Sequence, residues 1–144
     1  MAQTKINRNA AKVFTGIHGL VYKLSRGRVG GGKGTIIVLG TKGRKSGKLR
    51  ERPLLSGDHP SGWVVVASFS GHDRHPDWYL NLEADPEATV QAGGQVHRVT
   101  ARTTEGAERD ELWSEMATLY PDYDEYQSVT DREIPVLILE RHEN

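Results

Sequence analysis

The chain has 144 residues, enough for one domain that buries about two-thirds of the surface its unfolded form exposes. It holds no Cys, which excludes disulfides, thiolate metal sites, iron–sulfur clusters and a cysteine nucleophile together. Its net charge of zero hides a division, because residues 1–50 carry twelve Lys or Arg and no acid, whereas all 19 acids lie beyond them. A phosphorylated cofactor, a membrane surface or a nucleic acid would each suit such a basic half, and mutual pairing of the two halves would need no partner at all.

Ile6, Ala10, Val13, Phe14, Ile17, Val21 and Leu24 recur at helical spacing, flanked by Lys5, Arg8, Lys12, Lys23 and Arg26. The spacing predicts a basic amphipathic helix within residues 1–26, ahead of a single cofactor-binding domain over 27–144. That helix either packs on the domain or contacts an anionic membrane from the cytoplasmic face. No run of 18 apolar residues and no signal-type apolar core occur, so a cytoplasmic protein is expected.

Arg26 to Gly34 is a glycine-rich loop, and Thr35–Thr41 is a β-branched run suited to a buried strand. After a turn containing Gly43 and Gly47, Arg50–Leu55 reads as a strand that Pro53 places at an edge or a bulge. Trp63–Phe69 is a third strand. Pro76–Ala84 suits a short helix that Pro86 stops. Ala88–Gln91 and Gln95–Thr103 bracket Gly93–Gly94, a hairpin signal. Glu105–Tyr120 is a helix with Leu112, Met116 and Leu119 on one face, and Ile134–Leu139 is a last strand. Such short connections demand antiparallel pairing, since a parallel crossover takes a dozen or more residues. The expected class is α+β, a six-stranded antiparallel barrel or sheet with helices outside.

Gly27-x-x-x-x-Gly32-Lys33 has P-loop spacing, but Gly34 replaces the Ser or Thr that binds magnesium, and the loop follows a helix and opens a strand, the reverse of the required context. Gly43-Arg44-Lys45-Ser46-Gly47 is a better anion site: glycines bracket two cations and a hydroxyl, offering backbone N–H groups and charge together. Arg50 and Arg52 follow on one face of the next strand; a solvated basic hairpin would show the same pattern. His72 and His75 with Asp73 and Asp77 give no firm four-ligand geometry, so no metal is expected. Tyr120, Tyr123 and Tyr126 cluster around Pro121 without needing a continued helix, and present either stacking faces and hydroxyls or a structural aromatic patch.

The strings GRKSGKLRERPL (43–54), VVVASFSG (64–71), HPDWYLNLEADP (75–86) and LYPDYDEYQSVTDREIPVLIL (119–139) occur in this order. In them, and from about residue 10 onward, the chain resembles the deazaflavin-dependent nitroreductase family, whose members use reduced coenzyme F420. The resemblance implies a split β-barrel and an oxidoreductase that passes hydride to an electron-poor quinone, enone or nitroaromatic. It implies that Arg44, Lys45, Ser46 and Arg50 hold the cofactor's phosphate and acidic tail. Glu51, Arg52, Pro53, Leu54 and Leu55, with Val66, Ala67, Ser68 and Phe69, would line the deazaflavin. Asp77, Trp78, Tyr79, Leu80 and Asn81 would close the groove, Tyr123 would contact the cofactor, and Tyr120 and Tyr126 would bound the acceptor. Ser68 and Tyr126 would be hydrogen-bond donors at the reacting atoms, with solvent an equal source of the proton. Three positions depart from the family pattern: Phe69 stands where some relatives have a cation, Leu55 where some have an aromatic, and Leu49 where proline is frequent.

A split-barrel enzyme using flavin mononucleotide, and a noncatalytic module that binds deazaflavin or membrane, remain alternatives. Nucleic acid is not the expected partner, because the basic segment interleaves only Phe14 and Tyr22 among its cations. A monomer and a homodimer both fit.

Overall fold

A computed structural model describes residues 34–142, so the expected N-terminal helix lies outside the described residues. Six strands follow one another as β1 (Thr35–Lys42), β2 (Leu49–His59), β3 (Gly62–Val66), β4 (Glu87–Ala92), β5 (Gln95–Thr103) and β6 (Val136–Arg141). All pairings are antiparallel, and the order β1-β2-β3-β6-β5-β4 closes through β1 and β4 into a barrel. Among the described residues three α-helices accompany it: α1 (Asp77–Ala84), α2 (Gly106–Leu119) and α3 (Asp122–Ser128). None of the described helices is long and apolar enough to cross a membrane.

Strand alternation divides the apolar residues into two cores. Ile37, Leu39, Trp63, Val65, Ala67, Val90, Val99, Leu137 and Leu139 face the barrel interior, and Trp78, Tyr79 and Leu82 of α1 pack on them at the barrel's end. The opposite faces contribute Leu55, Val64, Val66, Val136 and Ile138 to a second cluster. Leu112, Met116 and Leu119 of α2 and Tyr123 of α3 cover it. Each such Leu or Val stabilises the fold by about 1.5–3 kcal/mol relative to an exposed position.

The barrel is split on one side. Leu49–Ser56 of β2 pairs with β1, but only Gly57–His59 pairs with β3. Pro53, which has no N–H to donate, lies in this one-sided stretch opposite Val38, as its sequence context predicts. The β4–β5 turn is also as expected, with Gly93 and Gly94 both at positive φ (59° and 82°).

Three local expectations are corrected. The third strand stops at Val66 rather than Phe69, because Phe69 and Ser70 take left-handed φ of 46° and 53° and the chain folds into a tight turn over Phe69–Gly71. The last strand begins at Val136, since Pro135 cannot donate to a ladder. Tyr123 and Tyr126 sit on a further helix, α3, which starts after Pro121 and carries Asp122, Asp124 and Glu125 in its first turn, where negative charge suits the dipole, whereas Tyr120 closes the C-terminal end of α2.

Candidate functional site

The half of β2 that pairs with β1 but not with β3 forms one wall of a cavity of about 330 Å3 lined by Thr41, Gly43, Arg44, Lys45, Ser46, Arg50, Glu51, Arg52, Asp77, Trp78 and Asn81. Register explains why the cations gather there. Thr41 pairs with Arg50, Leu39 with Arg52 and Ile37 with Leu54, so Arg50 and Arg52 extend the barrel's interior row past its apolar part. The β1–β2 turn then brings Lys45 and Ser46 over the same opening.

Within that set the residues have different tasks. The Arg44 guanidinium donates to Asn81 Oδ1 at 2.8 Å and pairs with Asp77 Oδ1 at 3.2 Å, while Asn81 Nδ2 donates to the buried Thr41 hydroxyl at 3.1 Å. Arg44 therefore fastens the turn to α1. Ser46 Oγ accepts from the Lys48 amide and from Arg50. Among the described residues Lys45, Arg50 and Arg52 make no ion pair. The turn's amides are less available than its glycines suggest: Gly43 N donates to Lys48 O, Gly47 N to Gly43 O, and Arg44 N to Asn81 Oδ1. The anion-attracting element is thus a row of side-chain cations. An elongated polyanion fits this donor set, and Glu51 and Asp77 at the rim limit where its charge can lie.

A second group gathers on the outer core. Tyr120 and Tyr126 place their hydroxyl oxygens 3.3 Å apart, and Tyr123 packs edge-on to Tyr120 at 5.1 Å. Burial, reinforced by the Tyr126 hydroxyl, holds the Tyr120 phenol well above the ordinary tyrosine range, so it stays a donor at neutral pH. Burial raises Tyr123 likewise. The turn bearing Ser68 and Phe69 abuts α3: a Cβ on Gly71, at φ 79°, would meet Val129 Cγ2 at 2.8 Å and the Tyr126 carbonyl at 3.0 Å. The Ser68 hydroxyl caps nothing in this turn.

A contact chain joins the two groups. The Arg74 guanidinium lies 5.9 Å over the Phe69 ring and 3.4 Å from Asp77, which holds Arg44. The sequence-derived site residues separate accordingly. Arg44, Lys45, Ser46, Arg50, Glu51, Arg52, Asp77, Trp78 and Asn81 line one cavity, and Ser68, Phe69, Tyr120 and Tyr126 lie by the outer core. Several others are interior. Ala67 is fully buried in the barrel, Leu54 and Leu80 pack against that core, and Tyr79 is buried with its hydroxyl on Glu83. Leu55, Val66 and Tyr123 are buried on the other side of the sheet, so Tyr123 supports its neighbouring tyrosines more than it offers a face.

His72, His75, Asp73 and Asp77 do not converge: Asp73 accepts from Thr130, and the His75 ring accepts from Arg132. Among the described residues no three His, Asp or Glu are placed to hold a metal ion. Thr41 and Arg132 escaped sequence reasoning. Strand pairing with Arg50 is what brings Thr41 in, and Arg132 carried no signal beyond lying inside the last of the four strings.

Comparison with known proteins gives consistent results. The sequence profile described as F420H(2)-dependent quinone reductase matches residues 16–141. The F420H(2)-dependent quinone reductase Rv1261c of Mycobacterium tuberculosis is 30% identical over 142 residues, covering 94% of this chain and 95% of its own length. Among solved structures, an F420-H2 dependent reductase (FDR-A) is 44% identical with a TM-score of 0.68, covering 73% of this chain and 93% of that one. A chain described as a domain-swapped dimer matches with the same identity and TM-score, covering 73% and 79%.

Proposed function

Since the chain belongs to the F420H(2)-dependent quinone reductase family and is an F420-dependent reductase, we propose that its acceptor is a quinone and that the split side of the barrel is where the cofactor is held. Reduced F420, when bound, supplies the hydride that the acceptor takes up with a proton. Lys45, Arg50 and Arg52 hold the acidic tail by charge, and Arg44 with Asn81 keeps their turn in place. Trp78 walls the cavity on the α1 side.

The acceptor lies toward the Ser68–Phe69 turn and α3. There the Ser68 and Tyr126 hydroxyls donate to a quinone oxygen as it gains charge, which lowers the barrier only if they are already oriented. Tyr120 holds the Tyr126 hydroxyl in place at 3.3 Å. The observation that carries this reading is the set of three cations in one cavity beside the split that make no ion pair among the described residues. Enones and nitroaromatics would enter the same space by the same chemistry. A cytoplasmic homodimer is the assembly we favour, given a 44% identical chain described as a domain-swapped dimer.

Stopped-flow oxidation of reduced F420 against matched quinones, enones and nitroaromatics tests the acceptor. Fastest turnover with quinones is expected, and turnover confined to nitroaromatics would overturn the quinone reading.

A further inference from the structure

Arg132 lies in the connection between α3 and β6, outside the residues discussed as ligand contacts, yet its side chain spans the distance to the Ser68–Phe69 turn. Its Nε donates to His72 O at 2.6 Å, one terminal nitrogen donates to Ala67 O and His75 Nδ1 at 3.1 Å each, and the other donates to Ser68 O at 2.6 Å. Three carbonyls flanking the tight Phe69–Gly71 turn and an imidazole thus take four of the guanidinium's five N–H donors. A group so committed to protein acceptors is not itself a ligand for the acceptor.

The turn it grips is strained. Phe69 and Ser70 are consecutive non-glycine residues at left-handed φ, a conformation that persists only where the surroundings over-determine it. Arg132 supplies that determination from outside the turn. The same connection is laced to the segment at two further points: Thr130 Oγ1 donates to Asp73 at 2.9 Å, and Ala67 N donates to Pro135 O at 2.9 Å. Arg132 is itself fixed, because Gln127 of α3 donates to its carbonyl at 2.8 Å. Through Gly71, the turn is fitted closely to the Tyr126 backbone.

We infer that Arg132 is a positioning residue: its planar fork locks the strained Ser68–Gly71 turn onto α3, and so sets Ser68, Phe69 and Tyr126 relative to one another. The inference rests on the proposed acceptor side. It concerns a residue outside the lining of the cavity that holds the cations assigned to the cofactor tail, so cofactor affinity and acceptor turnover separate the two. Lysine cannot replace the fork, since a single ammonium cannot reach three carbonyls in fixed directions.

The test compares Arg132→Lys with wild type by two readouts. In the cofactor-free protein, amide hydrogen exchange should quicken at Gly71 and His72, whose N–H groups are bonded inside the turn, while the β1–β2 hairpin keeps its protection. With reduced F420 at saturation, kcat toward a quinone should fall about ten- to hundredfold while the cofactor's Kd changes less than about threefold. Unchanged exchange in the turn, or unchanged kcat per bound cofactor, would overturn the inference. If wild-type protein reduces no acceptor, the proposed function fails, whereas the exchange comparison still decides the role of Arg132. Should Arg132→Lys not fold, Thr130→Val removes only the bond to Asp73 and a weak cap on the Arg132 amide. It should quicken exchange at the same two amides by a smaller factor, and no change there would equally overturn the claim.

Discussion

Asn81 Oδ1 accepts both the backbone N–H of Arg44, at 3.1 Å, and its guanidinium, at 2.8 Å, so one buried carboxamide on α1 holds the cationic turn by two bonds. Its Nδ2 meanwhile satisfies the buried Thr41 hydroxyl. Asn81→Ala strands the Arg44 amide and the Thr41 hydroxyl and leaves the Arg44 guanidinium only Asp77, and an unsatisfied buried polar group costs about 1–3 kcal/mol. Urea unfolding should show a loss of that size, and cofactor affinity should fall because the turn loses its anchor. Full stability in the variant would mean that Arg44 and Thr41 find other partners.

Lys45 and Arg50 carry the tail's charge if the cavity is the cofactor site. Replacing either by Ala should weaken binding by about 1.5–3 kcal/mol, or roughly ten- to hundredfold. Added salt should weaken wild type more than either variant, because each variant has one fewer screened contact. Fluorescence titration of F420 at two ionic strengths reads both effects. Identical affinity in all three proteins would place the tail elsewhere.

His75 gives the fold a pH dependence with a definite sign. Burial, then the neighbouring Arg132 charge, hold its imidazole below the ordinary 6.5, although Glu83 pulls the other way. The Tyr79 ring, 4.7 Å away, adds no charge. Below about 6.5 the unfolded chain binds a proton that the folded one still refuses, so the unfolded state gains stability as pH falls. The contribution of His75 is complete above that pH and is lost as pH drops through the depressed folded value. His75→Gln keeps an acceptor for Arg132 and removes the titration. Its Tm should fall less than that of wild type between pH 7 and pH 5. Parallel curves would assign the acid sensitivity to other groups.

The barrel was legible because its connections are short and its strands alternate. Gly93–Gly94, Pro53 and Pro86 each mark a place where backbone chemistry leaves one choice. The cationic turn was legible as charge, but its amides were not, because what uses them, Asn81, lies 37 residues from Arg44. Tertiary contact likewise decides the Ser68–Gly71 turn. VVVASFSG reads as a strand to Phe69, and the contacts at its bend come from far along the chain, among them Arg132, 64 residues beyond Ser68. The helix at α3 was obscured by Pro121, which breaks a continued helix but serves well at the start of a new one.

Tyr126 is where binding and chemistry can be told apart. Its ring is half-buried between Tyr120 and Tyr123, so Tyr126→Phe keeps the packing and deletes one hydroxyl. If that hydroxyl donates to the acceptor as charge develops, kcat/KM should fall about 10–1000-fold, equivalent to about 1.4–4 kcal/mol of transition-state stabilisation. F420 affinity should stay nearly constant, because the lost contact is with the acceptor. Tyr120→Phe is the informative partner. It cannot donate to Tyr126 but leaves the Tyr126 hydroxyl present, so its loss of kcat/KM should be smaller, and a double variant should be no worse than Tyr126→Phe alone. Tyr123→Ala, by contrast, opens a cavity in the outer core and should cost about 3–5 kcal/mol of stability. Additive losses from Tyr120→Phe and Tyr126→Phe would mean that the two hydroxyls act independently. No loss in Tyr126→Phe at saturating cofactor would remove it from the acceptor site and leave Ser68 or solvent to supply the hydrogen bond.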